Sequence, residues 1–320
     1  MVEEGEGWAL QRDWLVGRDL DFRMTVAAFH SGRDEESDPG SAELRLRLAN
    51  GDLDLELPRF EVGVGSIDGH LRVRSAPEQA ETDLSLRIRN LDYTPLTRQL
   101  NPEAEEAGRL SLYADLEASS AWGEPVALTA RGPLAVLIEP ERAESFVLDL
   151  WGDDVQRNLF TVLGWASSPS TVNCMAARGT LEAGLMKDLR VLADTTRVRV
   201  KGKGKLDVGA QTISLKLRPQ PKKRTLLNLS TPVSVRGDLW DPEIRPATGA
   251  MVELGFRVVT WAYTVYLQVF KQPLPADDTE ACVRLLEGYV DDERWRPGKF
   301  LLEPGSLVEE VMDEHSFGDS

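Results

Sequence analysis

Several groups in this 320-residue sequence could carry chemistry, and the spacing of each argues against it. Cys174 and Cys282 stand far apart, with no CxxC pair, and His30, His70 and His315 are scattered, so no metal centre is expected. Lys201-Gly202-Lys203-Gly204-Lys205 could cradle a phosphate, but it lacks the spacing and terminal Ser/Thr of a phosphate loop. A strand pattern follows it where a helix is required, so it reads as a strand with a lysine face and glycines at a bend or bulge. Gly63, Gly65 and Gly69 miss the dinucleotide fingerprint and suit a tight turn between strands. Asp52, Asp54 and Glu56 alternate with leucines, as solvated residues of one strand face do. No nucleophile elbow, HExxH helix, EF-hand loop or Ser/His/Asp arrangement can be assembled. The expectation is a protein that is not an enzyme and takes no cofactor.

The elements around these residues are mostly strands. Leu44, Leu46 and Leu48 alternate with Glu43, Arg45 and Arg47; after Asn50-Gly51, Leu53, Leu55 and Leu57 continue the alternation. Asn-Gly between two such runs signals a hairpin. The pattern goes on through Leu71 and Val73, then Leu84, Leu86 and Ile88, then strands expected at 109–118, 126–130, 134–138 and 145–151. Further strands are expected at 173–178, 184–192, 197–200, 204–208, 212–217 and 233–237. Residues 92–108 read as a short helix and loop, 153–164 as a helix, and 299–304 as a brief strand. Residues 248–273 form a long pattern apolar over most of its circumference, interrupted by Glu253 and Arg257; it packs on the sheet, caps a groove or touches a membrane surface. Residues 279–288 read as a second short helix carrying Cys282.

Composition sets wider bounds. Hydrophobic residues make up 42% of the chain, enough for a sizeable core. A formal net charge of -16, from 53 acidic and 37 basic residues, repels phosphate backbones and argues against nucleic-acid partners. Acidic runs at 34–38, 103–106 and beyond Pro275 read as solvated loops and a terminus. The opening MVEEGEGWALQRDW has no basic segment followed by an apolar one, and no run of ~20 apolar residues occurs. That leaves a cytosolic protein or a soluble piece of a longer one, and with it two thiols or one disulfide. Many strands apolar on one face, with few helices to cover them, need an occupant for that face. A second sheet would make a sandwich; acyl chains in a trough gain roughly 0.8 kcal/mol per buried methylene. Periodicity does not choose between them.

Residues 154–246 carry a more specific signal. Asp154-Val155 with Asn158-Leu159, Asn173-Cys174, Asp194-Thr195, Arg197 with Val200, Gly202 and Gly204, then Leu215, Leu217, Pro219, Pro221-Lys222 and Thr231-Pro232-Val233 follow one another in order. This succession closely resembles the C-terminal region of the AsmA-like envelope proteins. Phe160, Lys201 and Lys203 depart from the usual residues without disturbing the pattern. The membrane-anchoring helix and long additional β region that open family members are not seen, so a C-terminal portion of a longer protein, or a truncated form, is expected.

The resemblance implies a mainly β fold, a long curved antiparallel sheet forming an open groove (a repeating β-groove), with a few helices including a C-terminal apolar one. Residues 1–150 would form the groove meander and 151–247 the AsmA-like C-terminal β region. Residues 248–290 would be helices capping or packing on the groove, and 291–320 an acidic tail. It implies a periplasmic location in a Gram-negative bacterium, with an inner-membrane anchor in the full-length parent, and hence a Cys174–Cys282 disulfide. Its function would be to hold or conduct phospholipid acyl chains between the inner and outer membranes. The expected groove residues are Leu84, Leu86, Ile88, Leu134, Val136, Ile138, Val198, Val200, Leu206, Val208, Ile213, Leu215 and Leu217. The alternative is a structural or assembly module whose sheet is fully covered and whose loops bind envelope proteins.

Overall fold

A computed structural model describes residues 10–29, 40–62, 64–94, 107–142, 171–196, 198–222, 232–246, 274–275, 278, 280–287 and 289. Its strands are β1 (Leu20–Phe29), β2 (Gly40–Ala49), β3 (Asp52–Val62), β4 (Gly65–Ser75), β5 (Gln79–Asp92), β6 (Ala107–Ala121) and β7 (Arg131–Arg142). They continue as β8 (Val172–Glu182), β9 (Leu185–Thr195), β10 (Val198–Asp207), β11 (Thr212–Pro221), β12 (Val233–Asp238) and β13 (Pro242–Pro246). All thirteen join one sheet in sequence order, each antiparallel to the next, and the sheet is not closed. A four-residue helix α1 (Arg12–Leu15) precedes it, and α2 (Glu280–Leu286) follows. The fold is therefore mainly β, a long open antiparallel meander.

Local chemistry explains the turns. Asn50 and Gly51 both take positive φ, 53° and 85°, joining β2 to β3 as the Asn-Gly pair predicts. Ala183 and Gly184 do the same between β8 and β9, at φ 52° and 76°, with alanine in a conformation that favours glycine or asparagine.

Several expectations are revised. Val126–Leu128 is a 3-10 turn, not part of a strand: the segment follows Pro125, its apolar residues are consecutive rather than alternating, and Leu128 N donates to Pro125 O. Gly69 lies inside β4 opposite Leu57 and Leu86, not in a turn. Residues 197–200 and 204–208, read as two strands, belong to the single strand β10, apart from residue 197, which is not described, and Val208, which lies in the turn after it. It pairs with β11 without a break from Val198 to Asp207, while its register with β9 shifts between Gly204 and Leu206, the irregularity expected beside these glycines; at Gly202 a Cβ would collide with Val191 Cγ2 and Leu217 Cδ2. β13, only five residues and bounded by prolines, is an addition to the expected strands. The strand at 145–151, the helices at 153–164 and 248–273, the helix-and-loop core at 95–106 and the segment 299–304 lie outside the described residues.

Candidate functional site: an apolar sheet face

In an antiparallel sheet directly opposed residues share a face, so the register decides which side chains meet. One row crosses the whole sheet through Val26, Ala42, Phe60, Ile67, Ile88, Leu112, Val136, Ala177, Val191, Gly202, Leu217, Val233 and Pro246. All thirteen strands contribute one residue, and no member is charged or polar. A parallel row runs Phe22, Leu46, Leu55, Leu71, Leu84, Leu116.

The register puts Leu84, Leu86, Ile88, Leu134, Val136, Ile138, Val198, Val200, Leu206, Ile213, Leu215 and Leu217 on this face. Val208 falls in the turn after β10, where its N donates to Gly184 O and its side chain packs against the same face. The face also takes in leucines of β2–β4 and β6 that were not among the expected groove residues. Their signal was the same alternation, in Leu44, Leu46 and Leu48 and in Leu53, Leu55 and Leu57.

Burial divides this surface. Val198, Val200, Ile213, Leu215, Leu217, Val233 and Val235 are buried in one cluster with Leu181, Met186 and Leu189. Leu84, Leu86, Ile88, Leu134, Val136 and Ile138 are only half-buried, and Leu20, Phe22 and Met24 of β1 are exposed. The apolar face is thus closed at its β10–β12 end and, where Leu10, Leu15 and Trp122 lie over Val73 and Ala80, at one edge of β4–β5; between these its residues of β5 and β7, such as Leu86, Ile88 and Val136, are half-buried.

The opposite face is charged and carries helix α2, whereas Leu15 of α1 packs on the apolar face against Val73 and Ala80. Over β3–β5 the charged face is laced with cross-strand ion pairs, Asp54 with Arg72, Arg74 with Asp83 and Asp68 with Arg89, and His70 Nε2 lies 3.2 Å from Asp54 Oδ1. Asp54, Glu56 and His70 place ligand atoms within 4.8 Å of one another. Asp54 is already engaged by His70 and Arg72, and Glu56 by Arg45.

Over β6–β9 the same face turns apolar. Ala281, Cys282, Leu285 and Leu286 of α2 bury against Tyr113, Ala135, Leu137, Cys174, Ala176 and Leu192. Helix α2 therefore packs on the side away from the expected groove residues, because the small and apolar outward residues of β6–β9 supply the cover its stripe needs. Cys174 and Cys282 are disulfide-bonded at its centre.

An ion network flanks the disulfide. Asp194 accepts from Arg199 Nε at 2.7 Å, Lys222 Nζ at 2.7 Å and Asn173 Nδ2 at 2.7 Å. Arg199 also donates to Asp278 at 2.6 Å, and Arg284 of α2 donates to both oxygens of Asp278. Burial pushes the Asp278 carboxyl up, but hydrogen bonds from Arg199 and Arg284 outweigh it and hold it below the usual carboxylate range. Beyond α2, the Tyr289 ring stacks on the Arg178 guanidinium at 4.5 Å and its hydroxyl meets Thr180, while burial raises the phenol above its ordinary value. These contacts pair the groups with one another and fasten α2 and Tyr289 to the sheet. No helix among the described residues is long and apolar enough to cross a membrane.

No family profile matches the chain, and no solved structure matches it. Among curated proteins, the AsmA family protein YhjG of Escherichia coli (strain K12) is 22% identical over 214 residues. The match takes in 65% of this chain and spans 30% of that protein's length.

Proposed function

From this distant AsmA-like relationship and a sheet apolar on one face, we propose that the protein holds phospholipid acyl chains along the open part of that face and conducts them between the two membranes of a Gram-negative envelope. The single observation that carries this reading is the uninterrupted apolar row across thirteen strands, buried over β10–β12 and half-buried at Phe60, Ile67, Ile88, Leu112 and Val136. Each methylene moved from water onto such a surface contributes roughly 0.8 kcal/mol. A row of opposed side chains with no charge in it lets a chain slide between equivalent positions, and no covalent step is needed. In this reading the protein is not an enzyme, and its action supports outer-membrane homeostasis. The AsmA-like relationship and the Cys174–Cys282 disulfide both support a periplasmic location. Envelope assembly proteins are a second class of partner, for which the charged face over β3–β5 is the available surface.

Native mass spectrometry of the purified chain tests the reading. Wild-type protein should carry phospholipid-sized adducts, and a Leu86→Asp, Ile88→Asp variant with unchanged circular dichroism should lose them. A wild-type protein free of lipid after extraction in lipid-rich buffer would sink it.

A further inference from the structure

The two edges of the sheet differ. β13 is short, and Pro242 and Pro246 at its ends have no N–H to offer a further strand. β1 is ten residues long, pairs among the described residues only with β2, and has no proline. Its apolar side chains remain uncovered: Leu20, Phe22 and Met24 are 49%, 43% and 39% exposed. They make up half of the large hydrophobic residues exposed among the described part of the chain. Natural sheets blunt such an edge unless something pairs with it.

The sequence of β1 specifies a partner. In an antiparallel pairing of β1 with a second β1 across a two-fold axis, the residue on the axis sets every other pair. Centring on Arg23 opposes two arginines, and centring on Asp21 opposes two aspartates. Any axis falling between two residues sets apolar side chains opposite charged ones. Centring on Phe22 gives Phe22 opposite Phe22 and Leu20 opposite Met24 on the apolar face, with Asp21 opposite Arg23 twice on the other. That register alone satisfies both faces, with an aromatic pair and two ion pairs of the kind that stabilise cross-strand neighbours. β1 already uses this grammar within the chain, where Leu20, Phe22 and Met24 stand opposite Leu48, Leu46 and Leu44.

We propose that a second copy of this chain docks edge to edge through β1, with Phe22 on the two-fold axis and Asp21 paired with Arg23 of the other copy. The apolar face then runs without a break from one copy into the other. The inference rests on register, exposure and charge, and stands whatever fills the apolar face. A one-strand edge contact is small, so association is weak and concentration-dependent.

Sedimentation equilibrium on the intact chain, with Asp21→Arg, Arg23→Asp and the double swap, tests it. The wild type should show a monomer–dimer equilibrium. Each single reversal, which creates two like-charge pairs at the edge, should weaken the dimer by roughly tenfold or more, and the double swap should restore it. Because these side chains are exposed, circular dichroism should not change, and melting should shift only slightly, through the charges opposite them in β2, Arg47 and Arg45. A wild type monomeric up to about 1 mM, a dimer indifferent to both single reversals, or a double swap that fails to restore association would each overturn the proposal.

Discussion

The apolar face of β3–β5 and that of β10–β12 are built by the same alternation, yet they end in different states. In the first, Leu84, Leu86 and Ile88 are half-buried, and the back of the strands is held by ion pairs such as Asp54 with Arg72. In the second, Val233 and Val235 are 0% exposed and Leu215 is 4% exposed. Period two therefore decides which face is apolar, but not whether water, lipid or protein lies against it. Even within β4–β5 the state varies along the strand, since Val73 and Ala80 are buried under Leu15 while Leu86 and Ile88 are half-buried.

Substitution should separate the two regions. Leu215→Asp places a charge in the buried cluster and is expected to cost about 4 kcal/mol or more in urea unfolding. Leu86→Asp, at a half-buried site on the same face, should cost under about half of that and leave the fold intact. Equal losses at the two sites would erase the distinction.

Next in size is the disulfide that fastens α2 to the charged side. Cys174→Ser with Cys282→Ser should lower stability by up to ~4–5 kcal/mol, since it frees a loop of sequence separation 108. Unfolding the wild type with and without reductant checks the same point.

Removing Arg199 leaves Asp194 and Asp278 buried and partly uncompensated. Arg199→Ala is expected to cost roughly 3–5 kcal/mol, while any lipid binding at half-buried Leu86 on the other face should be untouched. The same network makes α2 acid-sensitive. Because the Asp278 carboxyl titrates below its unfolded value, its stabilisation is present above the unfolded pKa, about 3.9, and is lost as pH falls through the folded one. Asp278→Asn should flatten this acid limb in a pH series of melting curves.

The smallest effect belongs to the turn joining β8 and β9. Ala183 holds φ 52°, so Ala183→Gly should raise stability by about 0.5–1 kcal/mol. A loss on this substitution would mean the alanine methyl packs usefully there.

How much of this could be read beforehand follows from the range of each interaction. The apolar face was legible because its signal is local: alternation in a single strand already states which residues share a side, and twelve of the thirteen expected groove residues do. Val208 differs only because β10 stops at Asp207. The Cys174–Cys282 bond was legible through the AsmA-like resemblance, which supplied the compartment that composition left open. The Asp194–Arg199–Asp278 network was not, since Arg199 and Asp278 lie 79 residues apart and nothing local marks them. Nor was the side on which α2 packs. That depends on the outward residues of β6–β9 becoming small and apolar, Ala135, Leu137 and Ala176 among them, within an alternation whose other phase is also apolar.

The central claim is that lipid lies against one face of β4–β7 and not the other. Photo-crosslinking side chains placed singly at Leu86, Ile88 and Val136, and at their sequence neighbours Ser85 and Arg87, read this directly in protein made with labelled phospholipid. The account predicts lipid adducts at the first three positions and none at the last two. Equal labelling of both sets, or labelling confined to Ser85 and Arg87, would contradict it.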